Sequence, residues 1–415
     1  MATGNQTQFA LIGAVEEATA GTTPASALQL LNVAGNPAPT RTRTVESPQI
    51  ISNDLRSYPS QVLQSDGSWS IPATPSQYRN FLLFQEGIFG NDEGSAISIS
   101  GTGISAASNV VSDTGNGLAT VLDGDWVYMT DGNSAADFAS AWFGPVTNGA
   151  TAGSFTLPTG KMPNFSVGNT VTIKTRRLVD GGLSKTYSME MQLTKLTTVW
   201  RNSVYNFVNS FVWAWGQGQY ATEQPVIAGQ QSSQAAATIG TGSATAALTT
   251  DFMNSTSHVG GIDGAPTSGM WISTTEGTNL VATTATVSQL TFTFGRDNAI
   301  GRGIGNVGLT DEDVGEINAT VEATLLLNDT TKALFTGMEA HTTFSLAFAD
   351  VDVQGNRRLW SIPAAKCESD ITISDGDGRY MLPVTFRAHD TAKDSTSEYL
   401  ADGFAHQIAM FHVPA

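Results

Sequence analysis

Few residues in this chain are spaced for chemistry. Gly301-Arg-Gly-Ile-Gly305 follows an alternating strand and invites comparison with a phosphate-cradling loop. Such a loop must open a helix whose N–H groups face the phosphate. Asp311-Glu-Asp313 and another strand follow instead, so the segment reads as an assembly loop. Ser374-Asp-Gly-Asp-Gly378 offers alternate carboxylates, as a calcium loop does, but lacks the closing Glu of an EF-hand. Asp-Gly pairs supply positive φ cheaply, and a hairpin turn is the expectation. The five histidines (His258, His341, His389, His406, His412) form no H-x-x-x-H pair and none adjoins Cys367, which excludes the usual zinc spacings. His406 and His412 read as strand-surface residues. No G-x-S-x-G elbow is present and no acid/base pair suggests glycan hydrolysis. Trp213 and Trp215 alternate, either as a carbohydrate platform or as aromatics packed in a core. The pairs Arg176-Arg177 and Arg357-Arg358 lie beside turn signals and read as solvated, with acidic loops as possible partners.

Composition narrows the classes further. The chain has 415 residues, which suggests roughly two to four domains. Hydrophobic residues make up 40 % and charged residues only 14 %, enough apolar material for packed cores. Thr, Ser, Gly and Val fill long stretches and favour strands joined by turns. The net charge of −17, with no dense Lys/Arg cluster, argues against adhesion to nucleic acid. A single Cys excludes an internal disulfide and fits assembly in a reducing cytosol. No signal peptide and no apolar run of ~20 residues is visible, so no membrane contact is expected. No cofactor and no catalytic or metal residue is expected.

The elements follow from periodicity. Residues 1–40 read as an N-terminal arm with a short helix over Ser26–Leu31. Arg41–Val45 alternates as a strand, a long polar segment runs from Glu46 to Asp66, and Gly67–Ile71 is the next strand. Pro75–Phe84 reads as a short helix with Tyr78, Phe81 and Leu82 inward. Residues 95–168 have the cadence of a small inserted β-barrel, with strands at Ala119–Leu122, Asp125–Met129 and Gly153–Leu157. Thr170–Thr175 and Thr186–Met191 flank Gly181-Gly182, a hairpin signal. Val208–Trp215 and Ala221–Ile227 add strands, and Ala228–Thr250 reads as linker.

The second half repeats this order. A strand at Ser288–Phe294, a long loop at Gly295–Val314 and a strand at Gly315–Val321 precede a helix at Asp329–Phe335, with Asp329 as N-cap. Thr342–Phe348 and Arg358–Ile362 flank Gly355-Asn356, and Glu368–Ile373 and Tyr380–Phe386 flank the Asp-Gly turn. The expected organisation is a first module of 41–94 and 169–227, an insert of 95–168, a linker and module start at 228–286, and a second module at 287–415.

Several phrases carry a family resemblance: Val15-Glu-Glu-Ala-Thr-Ala-Gly-Thr-Thr-Pro24, Asn209-Ser-Phe-Val-Trp213, Val226-Ile-Ala-Gly229, Gly355-Asn356, Ser361-Ile-Pro363, and Leu382-Pro-Val-Thr-Phe-Arg-Ala388. Over nearly its whole length the chain resembles siphophage major tail tube proteins with two fused tail-tube modules. The resemblance implies a mainly β fold, each module a β-sandwich with a flanking helix. It implies sheets joined edge to edge around a lumen, in a homotrimer with pseudo-sixfold symmetry, and rings stacked into a tube without a sheath. The implied partners are a tape-measure protein and phage DNA in the lumen, and tail terminator and distal tail proteins at the ends. The implied location is the virion tail, assembled in host cytoplasm.

An unpaired strand edge normally invites aggregation, and closed symmetry would limit it here. A carboxylate-bearing lumen would let DNA slide. Loops longer than the usual ~4–6 residues need a reason, and stacking supplies one. The candidate contacts between rings or subunits are Arg41, Arg43, Glu46, Asp54, Arg56, Arg296, Asp297, Arg302, Asp311, Glu312 and Asp313. The rival reading is a carbohydrate-binding adhesin or virion decoration protein, with Trp126, Trp142, Trp213 and Trp215 as its sugar-binding aromatics.

Overall fold

The structure is a computed structural model. It describes residues 10–415 apart from 36, 48–58, 133–137, 139, 159–161, 163, 194–199, 217, 230–232, 236, 241–251, 254–269, 274–286, 302–310, 314, 328, 371, 377–378 and 391–405. The expected Gly301–Gly305 loop therefore lies largely outside the described residues, as do Asp54, Arg56 and Arg302.

Strands dominate, as the composition predicts. β1 (Ala10–Glu16), β2 (Gln29–Leu31), β3 (Ala38–Glu46), β4 (Gln61–Ser70) and β5 (Thr74–Pro75) precede helix α1 (Leu82–Phe89). The insert holds β6 (Ile97–Gly101), β7 (Ile104–Ala107), β8 (Val110–Asp113), β9 (Val127–Asp131), β10 (Ala141–Phe143), β11 (Ser154–Thr156) and β12 (Val171–Thr175). Then come β13 (Arg177–Val179), β14 (Tyr187–Leu193), β15 (Trp200–Gly216), β16 (Thr222–Gly229) and β17 (Ser233–Ala235). The last part holds β18 (Trp271–Ser273), β19 (Val287–Arg296), β20 (Ala299–Gly301), β21 (Asp311–Asp313) and β22 (Ile317–Leu326), then helix α2 (Asp329–Glu339). β23 (Thr343–Val351), β24 (Arg357–Cys367), β25 (Ser374–Gly376), β26 (Arg379–Ala388) and β27 (Ala409–Val413) complete it.

One set of antiparallel ladders occurs twice. In the first half β1 pairs β14, β14 pairs β15, β15 pairs β16, β16 pairs β4, and β4 pairs β3. In the second half β18 pairs β23, β23 pairs β24, β24 pairs β26, β26 pairs β22, and β22 pairs β19. The registers agree over the central residues of these ladders and part by one residue at β5 and β25. Tyr187 faces Asn206 and the ladder then slips before Met189 faces Ser203. Phe344 faces Ala365, and the same slip precedes Leu346 facing Ile362. Following these equivalences around each half makes Ser68 the counterpart of Thr320, Arg41 of Phe294 and Arg43 of Arg296.

The halves are joined by a seam of main-chain pairing. The C-terminal half of β15 pairs β19 from Ser210↔Gly295 to Gly216↔Gln289. Side chains on β19 and β22 alternate between buried and more open positions, the period-2 pattern of a sheet with one covered face. A single apolar core spans both halves. Phe89 meets Phe294 edge-to-face at 4.9 Å, Trp213 stacks on Phe292 at 5.3 Å, and Trp215 meets Trp360 at 4.9 Å. Each aromatic so buried is worth about 1.5–3 kcal/mol of transfer free energy.

The insert has a core of its own, including Ile104, Val111, Phe143, Phe155 and Ile173. Its sheets run β10-β9-β12-β6 and β11-β8-β7. Strand β12 belongs to it, so the insert runs to Thr175, beyond the expected boundary at 168.

Four local expectations are corrected. Gln29–Leu31 is a strand rather than helix, because Leu31 pairs with Ile12 and Leu28 packs against Gly13, where any Cβ would lie 3.0 Å from Leu28 Cβ. The first helix begins at Leu82 rather than near Pro75, since Arg79 has φ 62°, outside any helix. Tyr78 and Phe81 are buried as expected. Ala119–Leu122 is not a strand; a single 3-10 turn covers Leu118–Thr120. Gly181-Gly182 makes no hairpin: β12 pairs within the insert, β13 pairs β27, and β14 pairs β1 and β15. Gly355, with φ 97°, does close the β23–β24 hairpin.

Candidate assembly edges

Among the described residues, two exposed borders of the joined sheet are candidates for assembly. At one end β3 pairs only with β4 among the described residues, and from Thr40 to Glu46 every residue is exposed. At the other end the chain continues past β24 beside β26. The Glu368 N–H donates to Thr385 O at 2.9 Å and the Thr385 N–H donates to Ser369 Oγ at 3.0 Å. β25 then pairs β26 from Ser374↔Met381 to Gly376↔Arg379. No further strand covers this border among the described residues. The edges differ in chemistry from the internal seam. Phe211 and Phe294 face each other across the seam, both fully buried. Arg41, the counterpart of Phe294 on the β3 edge, and Asp370 on the other border are both exposed.

Behind the edges lie buried charges that rigidify the sheet. Arg358 is fully buried. It donates from Nε to Asp350 Oδ1 at 3.1 Å, from Nη2 to Asp350 Oδ2 at 2.7 Å and to Ser76 Oγ at 2.6 Å, and from Nη1 to Glu223 Oε2 at 3.2 Å. Burial pushes the Glu223 carboxyl up to about 7, and Arg358 offsets this only in part. The expectation that Arg357-Arg358 is solvated is therefore corrected for Arg358; Arg357 lies over the Tyr128 ring at 4.3 Å. Arg176 likewise pairs inward, with Nε 2.6 Å from Glu93 Oε2. His412 is buried rather than on a strand surface, with Nδ1 3.1 Å from Glu93 Oε1. Burial alone would raise the Glu93 carboxyl, but His412, Arg79 and Arg176 overcome it and hold the pKa low. Burial pushes the His412 pKa down against the opposing pull of Glu93.

Glu16, Glu86 and Asp92 form the one acidic group with metal-ligand spacing among the described residues. The Lys185 ammonium already lies among them, 3.1 Å from Glu16 Oε2 and bonded to Asp92. A fixed cation in that place removes the electrostatic reason for a metal.

The sequence-predicted contact residues separate on inspection. Arg41, Arg43 and Glu46 lie on the exposed β3 edge. Arg296 is 5 % exposed and donates to Ile88 O, Phe89 O and Gly181 O. Asp297 is exposed at the end of β19. Asp311, Glu312 and Asp313 form β21, which pairs β20. Asp370, exposed on the opposite border, was not singled out by the sequence, where its one signal is nearness to an Asp-Gly turn. The sugar-binding reading fails on burial: Trp126, Trp142 and Trp213 are 0 % exposed and Trp215 is 9 % exposed. Stacking on a saccharide needs an open ring face. No helix among the described residues is long and apolar enough to cross a membrane.

No curated protein matches the chain significantly. A family model described as "Phage tail tube protein" matches residues 4–388, nearly the whole length. With its mainly β architecture and open sheet edges, the chain belongs to the phage tail tube protein family, and its role is structural, as a component of the tail tube.

Proposed function

We propose that the chain is two tube modules fused in tandem, residues 41–94 with 176–227 and residues 287–415, and that three copies close into a ring of pseudo-sixfold symmetry. Residues 228–286 supply the linker and the start of the second module. The observation that carries this reading is the recurrence of five ladders with the same slip between β14–β15 and β23–β24. A repeated unit joined to its twin by main-chain pairing leaves one free border at each end, and rotation closes such borders into a ring.

Rings stack into the tube through the β3–β4 and β20–β21 loops and the residues before β1. The tape-measure protein fills the lumen during assembly, and DNA passes through it later. Tail terminator and distal tail proteins close the ends. Assembly takes place in host cytoplasm, and the chain performs no catalysis. The charge of −17 keeps the passing polymer from adhering.

Negative-stain images and mass photometry of purified protein test this. Rings of three chains with a central channel, stacking into tubes, are the expected result. Rings of six full chains, or a monomer at every concentration, would refute it.

A further inference from the structure

We infer that the internal β15–β19 seam is the template for the contact between chains: the edge at Ser369 and Asp370 of one copy pairs with β3 of the next, with Asp370 opposite Arg41. This rests on the ring reading above and specifies its interface.

The register follows from counterparts within the chain. Cys367 faces Phe386 as Val208 faces Ile227. Beyond it the first ladder slips, so that Ser210 faces Val226, and in the second the Thr385 N–H reaches Ser369 Oγ, which sets Ser369 beside Thr385. Ser369 and Asp370 thus stand for Ser210 and Phe211. On the other border Thr42 and Arg41 stand for Gly295 and Phe294. Inside the chain Ser210 faces Gly295 and Phe211 faces Phe294. Transferring that seam to a second copy sets Ser369 against Thr42 and Asp370 against Arg41.

Charge supports the transfer. The positions that hold a buried aromatic pair inside the chain hold an exposed acid and an exposed base at its borders. Opposite charges directly across a ladder attract, and charged edges keep free chains from pairing at random. Arg43 adds a second contact. Its counterpart Arg296 crosses the internal seam and caps the last carbonyls of α1. The matching helix beyond the outer seam is α2, ending at Glu339, so Arg43 of one copy reaches the C-terminal end of α2 in the next. A cation at a helix C-terminus beside a carboxylate is favourable.

Charge exchange and cross-linking test the seam. Arg41→Asp and Asp370→Arg should each raise the protein concentration needed for tubes at least about tenfold, and the double exchange should restore it. In a Cys367→Ser background, Arg41→Cys with Asp370→Cys should give an oxidised ladder ending at the closed ring. Arg43→Cys with Asp370→Cys, two residues out of register, should give little. Both charged side chains are exposed, so the single variants should melt as wild type does; if one fails to fold, the cysteine pair decides. Tubes that tolerate both single exchanges, or that cross-link only through the shifted pair, would overturn the register and leave the ring reading intact. Wild-type protein that never assembles would remove both.

Discussion

Arg296 donates from Nε to the carbonyl of Ile88 at 2.6 Å, so a strand of the second half closes the helix of the first. The same guanidinium also bonds Phe89 O and Gly181 O, and Gly90, with φ 63°, turns the chain away behind them. Any Cβ at Gly90 would lie 2.9 Å from Arg296 Nη2. Three carbonyls depend on one cation, and hydrogen bonds to charged groups are worth about 1.5–3 kcal/mol each. Arg296→Gln should therefore lower stability by about 3 kcal/mol or more in denaturant titration. Amide exchange should quicken first at the end of α1. Unchanged stability would mean the halves are held by the apolar core alone.

Arg358 makes a stronger demand, because it joins Asp350 and Glu223 with all three side chains buried. Removing one member leaves buried charge unpaired, at a cost of about 3–5 kcal/mol. Arg358→Met should show that loss. Replacing Asp350 and Glu223 by apolar residues in the same chain should recover most of it. A triple variant as unstable as the single one would show that the network fixes geometry as well as charge.

The repeated order of elements was legible in the sequence because period-2 alternation at Ser288–Phe294 and turn residues at Gly355-Asn356 are local signals. The partners of those strands were not. Gly181-Gly182 marks a turn but cannot say that β13 leaves to pair with β27, more than 200 residues on. Arg358 looked solvated because its partner Glu223 lies 135 positions away. The short helix expected at Ser26–Leu31 failed for a related reason: burial of Leu28 and Leu31 against β1 outweighed local propensity. Of the contact residues, those on β3 could be read from an exposed alternating strand, whereas Arg296 could not be told from them without the register.

Asp125 gives a pH dependence with a definite sign. It is 1 % exposed, and burial pushes its carboxyl from 3.8 up to about 6 against the pull of Leu122 N–H and Arg177. Between about pH 4 and 6 the folded chain holds this proton and the unfolded chain does not. Its contribution therefore favours folding at low pH and is lost as pH rises through that window. Asp125→Asn cannot titrate, so its stability relative to wild type should rise by about 3 kcal/mol across the window and stay level above it. Parallel curves for the two proteins would show that Asp125 titrates normally.

The insert leaves and rejoins the main sheet at one point, since the Gly94 N–H donates to Arg177 O at 2.8 Å. A short Gly-rich linker in place of 95–175 can therefore close the chain without moving β13. The insert is nevertheless docked. Trp126 stacks on Trp271 at 5.9 Å, and its Nε1–H donates to Ser361 Oγ at 3.1 Å. Deletion would expose Trp271, Leu359 and Phe411, so the shortened chain should melt earlier than wild type. It should still form tubes, thinner on the outside with an unchanged channel, because neither open edge includes an insert strand. Trp126→Ala should cost about 3–5 kcal/mol by the cavity it leaves and should loosen the insert while its own core stays folded. Loss of ring closure on deletion, with the chain still folded, would place the insert at the seam between copies and would require a different partner for β3.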